Sequence, residues 1–460
     1  MIILIYVMNY IDRTAIASAR IRGLEEDLHL THFQFETAIA ILYASYCPMQ
    51  IPSNLLLNKT SSPRLFIGGC VIAWGLIACA TGLTRNFHDI LICRFLIGIP
   101  EAAFYPGVIY LLSRWYSRTE LALRSGILYA GLLVSNALGS LMAAGILSTL
   151  EGIEGISAWR WLFFVEGGVT VLVGIAAIFV LPDYPENTLW LSEFQRRLAQ
   201  ARLAEEVGTV DQDSANEPFW HGLVLALKDE KTILFMWLTF FGLWGLGFTY
   251  FFPTIAATLG YDTTVTLLIA APPWVIAAFV CVFNARHADL TGERFFHIVG
   301  PYGIVIIGYI LAMSGMQTFT RYAALFFLAA GNAGFAVVMV WVSNSIPRPP
   351  SKRAAAIALV NGFGNLGNVA ASYTWKAQYF APAYRESCAI GIAALAISSG
   401  FAWVLRTRLI HLNEQLAEDE RKVNESAEDT EDDTVLAAGR LQGISVAAAV
   451  ATKKAFRYLY

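Results

Sequence analysis

The sequence predicts an all-α membrane protein with twelve transmembrane helices in two six-helix halves. Of its 460 residues, 56% are apolar and 15% are charged, whereas ordinary soluble domains carry roughly 25% charged residues. Twelve apolar stretches are long enough to cross a bilayer core of about 30 Å, and one long polar stretch separates the sixth from the seventh. This composition excludes a soluble enzyme, and a formal net charge of −3 excludes a basic nucleic-acid-binding surface.

The twelve stretches are each about twenty residues long and are joined by short polar loops within each half. They lie at about 1–20, 35–57, 65–83, 90–112, 125–149, 161–181, 232–252, 264–283, 296–314, 322–346, 354–375 and 387–405. A cleaved signal peptide is the alternative for the first stretch. It is disfavoured because a basic leading region is missing and the pair Asp12-Arg13 interrupts the apolar run.

This spacing divides the chain into an N-terminal half (1–181), a linker (182–231), a C-terminal half (232–405) and a tail (406–460). The tail is predicted to be partly disordered, because its 413–433 portion is acidic. On the side of the linker and tail lie 23 of the 32 Lys and Arg residues. The positive-inside rule therefore predicts that the linker, the tail and both termini are cytosolic.

Cysteine usage and phosphate-binding motifs give no sign of a cofactor. The six cysteines lie in or against apolar stretches without a Cys-x-x-Cys pair, which is typical of buried thiols rather than of disulfides or metal ligands. The Gly-Lys pair of a P-loop is missing from the sequence. We therefore expect no cofactor, no metal and no nucleotide hydrolysis by this chain.

Charged residues inside the apolar stretches are the main candidates for function, because charge in a membrane is costly. There are five: Asp12, Arg13, Arg94, Glu101 and Glu166. In the fourth stretch, Arg94 and Glu101 share one helical face with Gly98 and Tyr105. These charges either form static ion pairs between helices, or they line a cavity with guanidinium groups for an anion and carboxylates for protons. For Glu166, nearer the extracellular end of its stretch, a structural role is favoured.

The second half supplies polar groups without charge. Asn361, Asn365, Asn368 and Ser372 share one helical face, which suits either contacts between helices or the oxygens of a substrate. A single tyrosine in an apolar stretch more often packs than binds. Tyr46 is nevertheless included with Arg13, Asn361 and Asn365 as a candidate substrate contact.

Several motifs resemble one family of transporters along nearly the whole chain. The matching stretches are Tyr10-Ile-Asp-Arg13, Gln50-Ile-Pro-Ser-Asn54, Arg94-Phe-Leu-Ile-Gly98 with Glu101 and Pro106-Gly107, Arg114-Trp-Tyr116, Trp159-Arg-Trp161, Ala271-Pro-Pro273 and Phe456-Arg-Tyr458. With the six-plus-six layout, the chain resembles the major facilitator superfamily. Within it, the chain is similar to the anion:cation symporters, in the fungal branch of allantoate, nicotinate and pantothenate permeases.

This resemblance implies roles for four residues. The arginine matching Arg13 is associated with a carboxylated substrate, and the carboxylates matching Asp12 and Glu101 are associated with protonation. The arginine matching Arg94 is associated with coupling between them. The family's usual Asp-Arg-Ser-Asn reads Asp-Arg-Thr-Ala here and ends at Ala15, so any contact from that asparagine is lost. The family's hydrophilic N-terminal tail is also missing, which suggests a shortened protein or a truncated gene model.

The function expected from these observations is proton-coupled uptake of a small organic anion, a carboxylate such as a vitamin or nitrogen-source acid. The protein is expected to be a monomer in the plasma membrane, with the anion, protons and lipid as its partners. One alternative is an efflux carrier that exports a metabolite or drug in exchange for protons. It is disfavoured because the fifth stretch has no proline for the kink that such exchangers often carry. A sensor or receptor is a third alternative. It is disfavoured because a sensor would more naturally carry a large folded domain in its linker or tail, and both are too short for one.

Overall fold

A computed structural model describes residues 1–20, 23–116, 118–188, 190–199, 220–257, 259–261, 263–314, 317–346, 349–374, 384–428 and 458–460. The regular secondary structure of these residues is helical, as predicted. The helices are α1 (Ile2–Arg20), α2 (Leu24–Asp27), α3 (His32–Lys59), α4 (Pro63–Thr81), α5 (Phe87–Glu101), α6 (Phe104–Ser113), α7 (Arg118–Thr149), α8 (Ala158–Val180), α9 (His221–Leu227), α10 (Glu230–Gly245), α11 (Phe252–Ala257), α12 (Thr263–Thr291), α13 (Phe296–Ser314), α14 (Thr318–Ala330), α15 (Ala333–Ser345), α16 (Pro350–Ser372) and α17 (Arg385–Glu428).

These helices account for all twelve predicted stretches. Within the described ranges, 11 helical spans are long and apolar enough to cross a membrane. The remaining stretch forms α3, whose 28 residues extend about 42 Å at 1.5 Å per residue. Two spans consist of two helices each, namely α5 with α6 and α14 with α15, and the span Glu230–Thr249 consists of α10 and part of a short 3₁₀ helix, Gly247–Phe251. Pro100 lies at the end of α5, where its missing N–H weakens the helix before the turn to α6.

The last helix is longer than the sequence predicts. α17 continues to Glu428, so the predicted acidic, disordered-looking stretch is helical up to that residue. Its remainder, 429–433, lies outside the described residues. Glu, Gln, Arg, Lys and Ala dominate this part of the tail. All five are strong helix formers, and all but alanine are charged or polar. The ion pair between Arg408 Nη2 and Glu230 Oε2, 3.2 Å apart, also holds α17 against α10.

The Trp159-Arg-Trp161 motif holds the start of α8 against the turn after α1. Asp27 Oδ2 accepts hydrogen bonds from Ser157 Oγ at 2.6 Å and from Trp159 Nε1 at 2.7 Å. Burial alone would raise the pKa of Asp27, but these two hydrogen bonds and the charge of Arg160 lower it. This contact orients α8 relative to α1, which carries the Asp12-Arg13 pair.

Glycines allow α4 and α8 to cross at close range. A Cβ on Gly167 of α8 would lie 2.6 Å from the backbone nitrogen of Cys79, and one on Gly75 of α4 would lie 2.9 Å from that of Val171. Small residues at such crossings let two membrane helices approach to backbone contact. The crossing places the residues of α8 that precede and follow Gly167 next to α1 and α4.

We expect Gly167→Ala to destabilise the protein by about 1–3 kcal/mol, because the neighbouring atoms are backbone and cannot move aside easily. Thermal unfolding of the purified protein in detergent measures this effect. Gly168→Ala is the matched control, since a Cβ at Gly168 meets no atom within 4 Å and alanine favours the helix by up to about 1 kcal/mol. Equal melting temperatures of the two variants would contradict the prediction.

The two halves meet where the helices approach the linker, which we call the linker side. Near the linker-side end of α3, Asn54 Nδ2 donates to the carbonyl oxygen of Ala354 in α16 at 2.8 Å. At the start of α7, the amide of Leu123 donates to Asp289 Oδ2 in α12 at 2.6 Å. Cys281 of α12 packs against α7, with its Sγ 3.5 Å from the Gly126 carbonyl oxygen. The halves are therefore in contact on the linker side.

Candidate functional site

Arg13 and Glu101 form a buried ion pair within the N-terminal half. Arg13 Nε donates to Glu101 Oε1, and the same oxygen accepts a hydrogen bond from Asn9 Nδ2 at 2.7 Å. The side chains of Arg13 and Glu101 are 9% and 2% exposed. The pair joins α1 to α5, which carries Glu101 at its last residue. A guanidinium group is thus held deep in the bundle by a carboxylate.

Aromatic rings surround the Arg13 guanidinium. Its Cζ lies 4.4 Å from the ring centre of Tyr46 and 5.5 Å from that of Tyr10. Tyr43 meets Tyr46 edge to face, with ring centres 6.2 Å apart. Such rings attract the cation and restrict its position. The structure therefore places Tyr46 of α3 next to Arg13. Its role as a substrate contact stays a prediction.

Asp12, next to Arg13 in sequence, contacts different helices. Its Oδ2 accepts hydrogen bonds from Trp74 Nε1 at 3.2 Å and from Thr170 Oγ1 at 2.8 Å. Successive residues of a helix point about 100° apart, so Asp12 faces α4 and α8 while Arg13 faces α3 and α5. The side chain is 7% exposed, and the second oxygen, Oδ1, has no hydrogen-bond partner among the described residues.

Arg94 is a buried arginine of α5. It is 2% exposed and interacts electrostatically with both Glu101 and Asp12. Its Nε and Nη2 donate no hydrogen bond to any atom in the part of the chain that the structure describes. Gly98, one turn further along α5, lets α3 approach, because a Cβ there would lie 2.6 Å from the Leu42 carbonyl oxygen. Arg94 is thus a buried cation whose charge acts on Asp12 and Glu101 together.

Glu166 also interacts with this cluster, and the structural role favoured for it above stays a prediction. It is 1% exposed and interacts electrostatically with Asp12 and Arg94. Thr170, one turn further along α8, donates to Asp12, so the same face of α8 presents both residues. With Arg13 and Glu101, the cluster contains two guanidinium groups and three carboxyl groups.

The asparagines of α16 are engaged in hydrogen bonds. Asn361 Nδ2 donates to Gln50 Oε1 of α3 at 2.9 Å, which connects the two halves. Asn365 Nδ2 donates to the Asn361 carbonyl oxygen at 2.8 Å, and Asn368 Nδ2 to Asn365 Oδ1 at 3.0 Å. Of these contacts, only that of Asn361 joins two helices, and the other two lie within α16. Substrate contacts by Asn361 and Asn365 stay a prediction.

Sequence reasoning missed three residues that contact the cluster, Asn9, Trp74 and Thr170. It also missed Gln50 as the partner of Asn361 in α16. Asn9 carried a usable signal, because it is an amide in an apolar stretch and lies one helical turn before Arg13. Trp74 and Thr170 carried none, since such residues are common in membrane helices without any role in a site. Tyr105, placed on the Arg94 face by its spacing, stacks between Tyr6 and Phe335, with ring centres 5.3 and 6.1 Å away.

Two comparisons of the sequence with known proteins agree. The family model described as Major Facilitator Superfamily matches residues 2–372. The "MFS-type transporter cnsO" of Penicillium expansum is 32% identical over 379 residues, covering 79% of this chain and 72% of that protein. A "Putative tartrate transporter" of Agrobacterium vitis is 31% identical over 370 residues, covering 80% of this chain and 82% of that protein.

Solved structures share the fold. The proton:xylose symporter XylE, bound to 6-bromo-6-deoxy-D-glucose, superimposes with a TM-score of 0.60 at 16% identity over 87% of this chain and 95% of its own. A bacterial homolog of the human lysosomal transporter Spinster, in an inward-facing and occupied conformation, superimposes with a TM-score of 0.59 at 17% identity. The match covers 88% of this chain and 95% of that chain. The twelve-helix fold, the family match and the relatives together show that this chain is a multi-pass membrane transporter of the major facilitator superfamily, and not an enzyme.

Proposed function

We propose that this transporter carries a small organic anion, a carboxylate, inward together with protons, as an anion:cation symporter. The observation that supports this most is the buried Arg13–Glu101 pair beside Tyr46. A substrate carboxylate binds best to a planar guanidinium group, which offers two parallel N–H donors. In this structure the Arg13 guanidinium is already paired with the Glu101 carboxylate. An incoming anion therefore has to replace that carboxylate.

Coupling to protons follows from the cost of unpaired charge. An ionised Glu101 displaced by the substrate would be a buried carboxylate without its partner, which costs several kcal/mol. Protonation of Glu101 removes this cost and leaves Arg13 free to bind the anion. Conversely, a protonated Glu101 leaves Arg13 without a counter-charge until the anion arrives. Proton and anion therefore favour each other's binding, which is the property of a symporter.

Arg94 connects the protonation of Glu101 to the other carboxylates of the cluster. It interacts electrostatically with Glu101, Asp12 and Glu166. Loss of the negative charge on Glu101 leaves the positive charge of Arg94 to be balanced by Asp12 and Glu166. We propose that Arg94 transmits the protonation state of one carboxylate to the others, and that Asp12 is a second proton-binding group.

The proposal extends to the substrate class and to the membrane. A relative of 31% identity is named as a putative tartrate transporter, which supports a carboxylate as substrate. Most Lys and Arg residues lie on the linker side, which supports a cytosolic linker and cytosolic termini. We further propose the plasma membrane as the location.

The test is uptake of a panel of radiolabelled carboxylates, including tartrate, in cells that lack their own permeases. Uptake is expected to rise as the external pH falls and to collapse when a protonophore removes the proton gradient. Cells expressing Arg13→Ala provide the background. Uptake that a protonophore leaves unchanged would contradict symport, and proton-driven loss of preloaded substrate would support the efflux alternative.

A further inference from the structure

Residues 458–460 occupy a groove on the linker side of the C-terminal half. The backbone of Tyr458 pairs with the side chain of Asn413 in α17: its amide donates to Asn413 Oδ1 at 2.8 Å, and its carbonyl accepts from Asn413 Nδ2 at 2.9 Å. The Tyr458 ring lies 4.6 Å from the Lys231 ammonium of α10. The asparagine side chain thus satisfies both backbone groups of Tyr458, its amide and its carbonyl.

Two further backbone contacts continue along the groove. The indole Nε1 of Trp341, at the linker-side end of α15, donates to the Leu459 carbonyl oxygen at 2.9 Å. The amide of Arg294, just before α13, donates to the Tyr460 carbonyl oxygen at 3.2 Å. Trp341 and Arg294 are both 0% exposed. With the segment bound, both residues are buried and these two N–H donors are satisfied by it.

The groove is connected to the contact between the two halves. Arg294 Nη2 donates to Asp289 Oδ1 at 3.0 Å. Asp289 in turn accepts hydrogen bonds from the amides of Leu123 and Ala122 at the start of α7, at 2.6 and 3.3 Å. The backbone amide of Arg294 thus binds residue 460, while its side chain holds the carboxylate that contacts the N-terminal half.

We propose that residues 458–460 are a strap that binds this groove and keeps the linker side of the transporter closed. The strap joins α10, α15, α17 and the residues just before α13, and so fixes the position of Asp289 against α7. Opening of the linker side separates Asp289 from α7, and the bound strap opposes that separation. Release of the strap therefore shifts the conformational equilibrium toward the state that is open to the linker side. This inference does not depend on which substrate is carried.

Cys281 is a native reporter of this opening. It is 0% exposed and packs against Gly126 of α7, between the two halves. The experiment uses a variant in which the other five cysteines are replaced by alanine, in membrane vesicles that present the linker side outward. A membrane-impermeant maleimide is added, and the labelling rate of Cys281 is compared between the full chain and a chain lacking residues 458–460. We expect labelling at least tenfold faster without the strap.

Three controls separate a strap from a general loss of stability. Asn413→Ala should also accelerate labelling, because it removes both contacts to the Tyr458 backbone. Tyr460→Ala should leave the rate unchanged, since Tyr460 binds Arg294 through its backbone carbonyl. Added peptide Phe-Arg-Tyr-Leu-Tyr should restore slow labelling of the shortened chain, whereas a scrambled peptide should not. An unchanged labelling rate after deletion, or an acceleration that the peptide fails to reverse, would overturn the proposal.

Discussion

Replacement of Arg13 by lysine is expected to be nearly as harmful to transport as replacement by alanine. A guanidinium group binds a carboxylate through two parallel N–H groups, whereas an ammonium group is a compact point charge. Lysine would also lose the planar contact with the Tyr46 ring, whose centre lies 4.4 Å from the Arg13 Cζ. We expect the half-saturation concentration for substrate to rise about 10- to 100-fold, which corresponds to about 1.4–2.8 kcal/mol. Initial uptake rates over a range of substrate concentrations measure this effect.

Arg20→Lys is the matched control for Arg13→Lys. Arg20 lies on the same helix, but its side chain is 33% exposed and pairs with Glu25, with Nε 3.0 Å from Oε1. An exposed ion pair of this kind contributes at most about 1 kcal/mol to stability, and a lysine at position 20 can still pair with Glu25. Near-normal affinity of Arg13→Lys would show that Arg13 ties helices together and does not bind the substrate.

Glu101→Gln is expected to abolish accumulation of substrate against a gradient while exchange of labelled for unlabelled substrate continues. Glutamine keeps the shape of a protonated glutamate, so Arg13 remains available to the anion. It cannot release a proton on the linker side, so the proton gradient no longer drives net uptake. With one proton per monoanion, a difference of one pH unit supports roughly tenfold accumulation in the normal protein. In the Glu101→Gln variant, the ratio of internal to external substrate concentration should stay near one.

Reconstituted vesicles allow both readouts with the same protein. Net accumulation is measured under an imposed pH gradient, and exchange is measured at equal pH with excess unlabelled substrate inside. Glu186→Gln is the control, because Glu186 forms an ion pair with Arg114 on the linker side, at 2.7 Å, and is 35% exposed. Normal accumulation by Glu101→Gln would move the proton role to Asp12 or Glu166.

The fold was predictable because each membrane helix is encoded by a continuous run of apolar residues. A membrane helix needs about twenty apolar residues in succession, and each of the twelve predicted stretches contains a helix of the structure. The length of α17 was not predicted, because acidic residues are compatible with both a solvated coil and an exposed helix.

Most members of the charged cluster were also predictable, but their pairing was not. Charge is so costly inside a membrane that Asp12, Arg13, Arg94 and Glu101 stand out in any apolar stretch. The sequence left open which arginine faces which carboxylate, and it favoured a merely structural role for Glu166. The structure pairs Arg13 with Glu101, 88 positions away, and Asp12 with Thr170, 158 positions away.

The sequence by itself determined that this protein is a membrane transporter with two six-helix halves, and that the charged residues inside its apolar stretches lie in the first half. Hydropathy, charge and motif spacing are properties of neighbouring residues, so they can be read without the fold. Only the tertiary structure decided that Glu166 joins Asp12 and Arg94, that Asn361 binds Gln50, and that residues 458–460 bind next to Trp341. These contacts depend on the angles and rotations at which helices cross, and helix crossings arise from packing between residues that are far apart in the chain.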